Sequence, residues 1–459
     1  MTDQIKKIQS DEATAFNSYQ NTITNNTSSV DIAVIDSVHK DNIEKIDIQQ
    51  LDESNYPPPD QGYSWVILVA GLLNFVISFG SFNAFGVFQT YYLLTVFKDV
   101  PADIVSWIST VTIFMTLSTG IFSGPIARVF GIRNSCLIAT AIGFFGLILS
   151  SLFTEVWHLV ITQGIMFGFA SSILVNLSLT AQILWFEKHK GLALSIISSG
   201  GGIGSIILVP IVTSTVENLD IRWSFRILSI IYLILSGTGS YLLKPRIPYV
   251  PSKKIIDFKL LKDPFVLYCS LIGFTMNWGY STVLLYFPAS IEALGKTKSF
   301  ATYFIMLYAA TSIIGRILSG YLADKIGSLK ILIFCHTIIS ISFFTLWYHR
   351  YDFAYYVVFY VLFGFFGVNY FSLCPNIVGR HFPIETVTLI NAIIFLVNGV
   401  SNLICIPILG KVFQAVGKRT NFDAVILIGG SSFIASLGIL VAFRYYAVTH
   451  YPQYKNGGL

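Results

Sequence analysis

Charged side chains are scarce. Asp, Glu, Lys and Arg make up 12% of the 459 residues, where a soluble domain carries about a quarter. The five cysteines (Cys136, Cys269, Cys335, Cys374 and Cys405) all lie in apolar runs with no CxxC or Cys/His spacing. That suggests neither a disulfide framework nor a zinc site, and no metal or cofactor is called for. No GxxxxGK[ST] stretch is present, which excludes a P-loop ATPase. The apolar runs hold no clustered carboxylates, histidines or nucleophile with its base, which argues against an enzyme. No apolar h-region follows Met1, so the first membrane helix is expected to serve as the insertion signal.

What is abundant is hydrophobic sequence. Apolar residues make up 54% of the chain and the mean hydropathy is +0.68. Solid apolar runs, without alternation, predict an all-α membrane protein, because about 20 residues cross the hydrocarbon core and only helices or closed barrels satisfy their backbone there. Twelve transmembrane helices can be drawn, at roughly 65–91, 103–126, 133–153, 157–184, 190–214, 223–243, 264–289, 300–322, 329–348, 353–378, 387–414 and 421–446. Residues 1–64 hold 11 of the 24 acidic residues but only four of the 29 Lys and Arg; they read as a disordered acidic tail. Between the sixth and seventh spans, 244–263 carries Lys244, Arg246, Lys253, Lys254, Lys259 and Lys262 against Asp257 and Asp263. The positive-inside rule makes this linker cytoplasmic, and an even number of spans puts both termini there too.

The spans repeat. "GPIARVFG", Gly124 to Gly131, and "GYLADKIG", Gly320 to Gly327, share Gly124, Ala127 and Gly131 with Gly320, Ala323 and Gly327 at an offset of 196 residues. Gly168 with Gly364, and Phe186 with Phe382, keep that offset. Such a register marks two six-helix halves, here 65–243 and 264–446, with 447–459 left as a C-terminal tail. The second turn carries Asp324 where the first carries Arg128.

Gly320 to Gly327 resembles the signature turn of the major facilitator superfamily, whose fold is two such six-helix halves. The resemblance implies a conformational latch made of Gly320, Asp324 and Gly327, with Gly124, Arg128 and Gly131 as the first-half copy. Since the acid is missing there, only the second half is expected to hold the complete latch. Two further stretches, "DQGYSW" (Asp60 to Trp65) and "WFEKHKGLALSIISSGGGIGS" (Trp185 to Ser205), resemble the signatures of the monocarboxylate transporter family. They look closest to its fungal branch, which includes a riboflavin importer. Gln61 and Ser64 depart from the pattern, and His189 sits at its basic position. The glycines of the second stretch read as a close helix contact.

Arg316 lies inside the eighth span, and all 13 acidic residues after position 64 fall in loops or at span ends. An unpaired Arg at mid-membrane costs at least about 2.5 kcal/mol, so it should face a central cavity where an anionic substrate supplies the counter-charge. The alternative is an Arg that snorkels to backbone carbonyls near the cytoplasmic face. The family resemblance implies the former, since an Arg at this place binds the carboxylate. The acid that precedes it by four residues in proton-coupled animal members is Ser312 here, and their first-span Lys falls at Asn83. Asn277, Tyr280, Asn369 and Tyr370 are further candidates for the cavity wall.

These readings combine into a secondary transporter of a small, anionic, monocarboxylate-like molecule, working by alternating access. Two alternatives remain. One is a facilitator of a riboflavin-like or other larger solute without proton coupling. The other is a non-transporting membrane sensor, which the short linker disfavours. The expected partners are a small-molecule substrate and the lipid bilayer, with no nucleic acid. The protein would be a monomer or joined by an accessory subunit, in the plasma membrane in preference to the vacuolar membrane.

Overall fold

A computed structural model of the chain describes residues 56–295, 298–349, 352–418 and 421–454. Most of the expected acidic tail therefore lies outside the described residues. Among those residues, ten helices are long and apolar enough to cross a membrane. The first is α1 (Ser64–Tyr91). Next, α2 (Ala102–Ser118) and α3 (Ser123–Ser150) run on through a short 3-10 turn and count as one of the ten. α4 (Val156–Trp185), α5 (Lys190–Asn218) and α6 (Ile221–Leu242) complete the first set. A helical turn at Phe258–Leu261 precedes α7 (Pro264–Ala293), which is not among the ten. α8 (Lys298–Ile326), α9 (Ser328–Tyr348), α10 (Phe353–His381), α11 (Ile384–Ala415) and α12 (Asp423–His450) follow.

Several of the described acidic residues stand at helix starts. Asp220 accepts from Ile221 N at 2.7 Å, Asp352 from Phe353 N at 2.6 Å and Asp263 from Phe265 N at 2.8 Å. Each satisfies an N–H that the first turn leaves without a partner, and each sits at the positive end of the helix dipole.

The repeat is visible as packing. α1 lies against α5 and α6, and α7 against α11 and α12; α3 lies against α6, and α9 against α12. The two signature glycines share an unusual backbone: Gly131 has φ 78° and ψ 163°, Gly327 φ 99° and ψ 141°. Those left-handed φ values favour glycine, which is why the turn leaves a sequence trace in both halves. The halves meet through α5 on α8, α2 on α11, and α4 and α10 on α11 and α5.

Three expected boundaries shift. Residues 57–63 are part of the fold, because Asp60 and Tyr63 bond to it. The C-terminal tail starts later than 447, since α12 runs to His450 and Arg444 donates to Tyr454 O at 3.2 Å. Linker residues 244–252 are built into the bundle: Trp185 Nε1 donates to Lys244 O at 2.7 Å, and Arg246 Nε to Leu184 O at 3.0 Å.

Candidate functional site

A cavity of about 160 Å³ lies between the halves. α1 supplies Phe75, Phe79, Phe82 and Asn83, and α5 supplies Ser198 and Ser205. α7 supplies Asn277, Tyr280 and Ser281; α8 supplies Tyr308, Ser312 and Arg316. Phe371 on α10, with Phe395 and Asn402 on α11, closes the wall. Among the described lining residues Arg316 alone carries a fixed charge.

Arg316 Nη1 donates to Ser198 O on α5 at 2.6 Å, and its buried Nε has no hydrogen-bond partner among the described residues. The carbonyl contact that would satisfy a snorkelling Arg is thus made across the two halves, inside the cavity wall. An unpaired buried donor is costly, and an incoming carboxylate matches a guanidinium well. Tyr308, Ser312 and Arg316 are spaced four residues apart, which puts them on one helix face. That spacing was the available signal for Tyr308, which sequence reasoning overlooked.

The other candidates divide. Asn83 lines the cavity and donates to Ser205 Oγ at 2.6 Å. Asn277 lines it too; its Oδ1 accepts from Asn402 Nδ2 at 3.1 Å, and Asn402 Oδ1 accepts from Ser281 Oγ at 2.8 Å. Tyr280 faces the cavity with its ring 5.6 Å from Phe371. Asn369 and Tyr370 do not line it. α10 is interrupted at Gly367–Asn369, and Asn369 Nδ2 donates to Phe365 O at 3.0 Å and to Ser319 Oγ at 2.8 Å. It mends the helix break. Tyr370 is buried and donates its hydroxyl to Cys269 O at 2.6 Å, tying α10 to α7.

At the end of the bundle that carries the two glycine turns, the halves are clamped together. Asp324 accepts from Gly191 N at 2.7 Å and Leu192 N at 2.8 Å, so an acid from α8 sits on the N-terminus of α5. Arg380 Nη2 pairs with the same carboxylate at 2.7 Å. Gly320 permits the approach: a Cβ there would collide with Ser195 and stand 2.6 Å from Gly191 O. Lys190 Nζ adds a bond to Gly379 O at 2.9 Å.

The first-half copy is built differently. Arg128 Nη1 donates to Pro251 O of the linker at 3.0 Å, and Gly124 lies under Ser252. Ser252 N then donates to Glu385 O at the start of α11 at 3.3 Å. Linker backbone stands where the second half uses its carboxylate. Arg128 is therefore not a mirror image of Asp324; a cation could not accept the N–H groups of a helix start.

The two quoted signatures touch each other. Asp60 accepts from Lys188 N and His189 N, each at 2.9 Å, and from Glu187 N at 3.2 Å. Tyr63 lies 5.6 Å from Trp185, and Trp65 5.6 Å from Phe186, ring to ring. Burial raises the Asp60 carboxyl, but the three backbone N–H groups outweigh it and hold it below its ordinary value. Such a group stabilises the fold above its unfolded pKa, about 3.9, and the contribution is lost as pH falls through the lowered folded value. Asp60→Ala is expected to cost about 1 kcal/mol at pH 7. Thermal unfolding of the two proteins should show that gap narrowing only in strong acid; a gap unchanged at pH 3 would rule out the carboxylate as its source.

The model of the Major Facilitator Superfamily matches residues 70–352 and 269–458 of the chain. The MFS transporter asaE of Aspergillus flavus is 29% identical over 392 residues, covering 83% of this chain and 88% of that protein. The aspyridones efflux protein apdF of Emericella nidulans is 27% identical over 384 residues, covering 82% and 78%. The solved structure of the proton:xylose symporter XylE bound to 6-bromo-6-deoxy-D-glucose superposes with a TM-score of 0.67 at 17% identity, over 83% of this chain and 96% of that one. At that identity the likeness is one of fold.

Proposed function

Because the chain belongs to the Major Facilitator Superfamily, we propose that it is a secondary transporter moving a small organic anion across a membrane by alternating access, with the anion held at Arg316. The observation that carries this reading is the cavity between the halves with one fixed charge on its wall and an unpartnered Nε. Asn83, Asn277 and Tyr280 orient the bound molecule. Twelve spans, in two six-helix halves joined by a cytoplasmic linker, rock about this site. The paired signatures around Asp60 and Trp185 favour the monocarboxylate-transporter-like branch, and a relative named for efflux favours export from the cell. Asp324 latches the cytoplasmic end by capping α5, and Arg380 holds the carboxylate from within its own half.

The aromatic wall favours a second reading within the same fold. Phe75, Phe79, Phe82, Phe371 and Phe395 give ring surface that lactate would leave unused; a larger solute of riboflavin type would cover it. Thermal-shift measurements on purified wild type and Arg316→Gln separate the two. The panel holds lactate, pyruvate, branched and aromatic acids, riboflavin and neutral controls. An acid present at about 100 times its Kd should stabilise wild type by about 2.7 kcal/mol and leave the variant unmoved. If riboflavin stabilises both proteins equally, the charge-pairing reading fails and the second one stands.

A further inference from the structure

The charge inventory of the cavity says how transport couples to energy. The described lining residues include no aspartate, glutamate, lysine or histidine. From each element packed on Arg316, the facing groups are Ser198 on α5, Tyr280 on α7, and Tyr308 and Ser312 on α8 itself. None of these is a carboxylate or an imidazole, the groups that relay protons in pumps and transporters. The nearest carboxylate on α8 is Asp324, two turns on, and it is already held by two N–H groups and Arg380. His336 on α9 is turned away, its Nδ1 on Leu332 O at 2.9 Å and its ring against Phe433. The empty site is thus a lone cation, and a bound monoanion cancels it.

We propose that this protein is an electrogenic uniporter in which the empty carrier, not the loaded one, moves charge across the membrane. The inference rests on Arg316 being the anion site. The loaded form reorients as a neutral complex, indifferent to voltage. The empty form carries the Arg316 charge, and an inside-negative potential favours its cytoplasm-facing state. There it meets intracellular anion, so the membrane potential drives export without a proton gradient. Anion-for-anion exchange never passes through the empty form and is voltage-insensitive.

The empty carrier can be tested without knowing the substrate. The full chain is expressed in cells and voltage steps are applied with no organic acid present. Wild type should give transient charge movements that saturate, carry at most one charge per carrier and are the same at pH 5.5 and 7.5. For one full charge the two orientations redistribute roughly fifty-fold per 100 mV. Arg316→Gln, matched for surface expression, should lose the transients, and Arg316→Lys should retain them at pH 6. Absent transients in wild type, transients that survive in Arg316→Gln, or a charge that titrates between pH 5.5 and 7.5 would each overturn the proposal. Failure of the anion reading looks different: transients stay intact while no acid shifts the melting point.

Discussion

Asp324→Ala is expected to release the turn end of the bundle. The substitution leaves Gly191 N and Leu192 N without their acceptor and Arg380 without its partner. The carboxylate is 8% exposed, so the loss is that of a largely buried pair plus a helix cap, together about 3 kcal/mol. The two N–H bonds join the halves, whereas Asp324 and Arg380 both belong to the second half, so only the capping share, about 1 kcal/mol, belongs to one conformation. The ratio of states should move by roughly fivefold toward the one in which α5 and α8 part at this end. Spin labels near the start of α5 and the end of α8 would report a longer distance, and transport should slow. An unchanged distance distribution would show that the clamp does not govern the conformational balance. Asp324→Asn keeps an acceptor for one N–H and should give a smaller shift in the same direction.

Gly204→Val should have the largest effect on folding. A Cβ at Gly204 would be driven into Val76 O and stand 2.7 Å from Gly80 Cα on α1, and the neighbouring contact is backbone, which cannot swing aside. α1 and α5 would have to separate along the seam that carries Phe79, Asn83 and Ser205 to the cavity. Overpacking costs about 1–3 kcal/mol where side chains can yield, and here they cannot, so about 3 kcal/mol or more is expected, with little protein recovered. Gly237 supplies the control. A Cβ there meets nothing within 4 Å, and Gly237→Ala should raise helix stability by up to about 1 kcal/mol. Equal melting points for the two variants would mean that the α1–α5 contact is looser than its geometry.

The architecture was legible where backbone geometry demands a residue type. Gly131 and Gly327 need left-handed φ, and that demand wrote the repeat into the sequence. Arg316 was legible because a charge in an apolar run has no bland substitute. The aromatic half of the cavity was not. With 38 Phe in the chain, phenylalanines facing lipid, core and cavity read alike. Asn369 and Tyr370 were misplaced because a polar side chain in a span signals only that it needs a partner. For Asn369 the partner is a carbonyl freed by the break in its own helix. Asp60 was quoted as a signature, yet its acceptor role depended on a turn 128 residues further on, which no local pattern announces.

The linker carries one more consequence. Tyr249 bonds the hydroxyl of Thr388, which also meets Thr180 Oγ1 at 2.8 Å, while Pro251 holds Arg128 and Ser252 holds the start of α11. Stitches to both halves therefore lie within a few residues of one another, with almost no slack between them. When the halves part at this end, the segment must let go of one side or the other. The chain that joins the two domains is thus expected to act as a brake as well as a tether, since a stitch must open before the halves can swing.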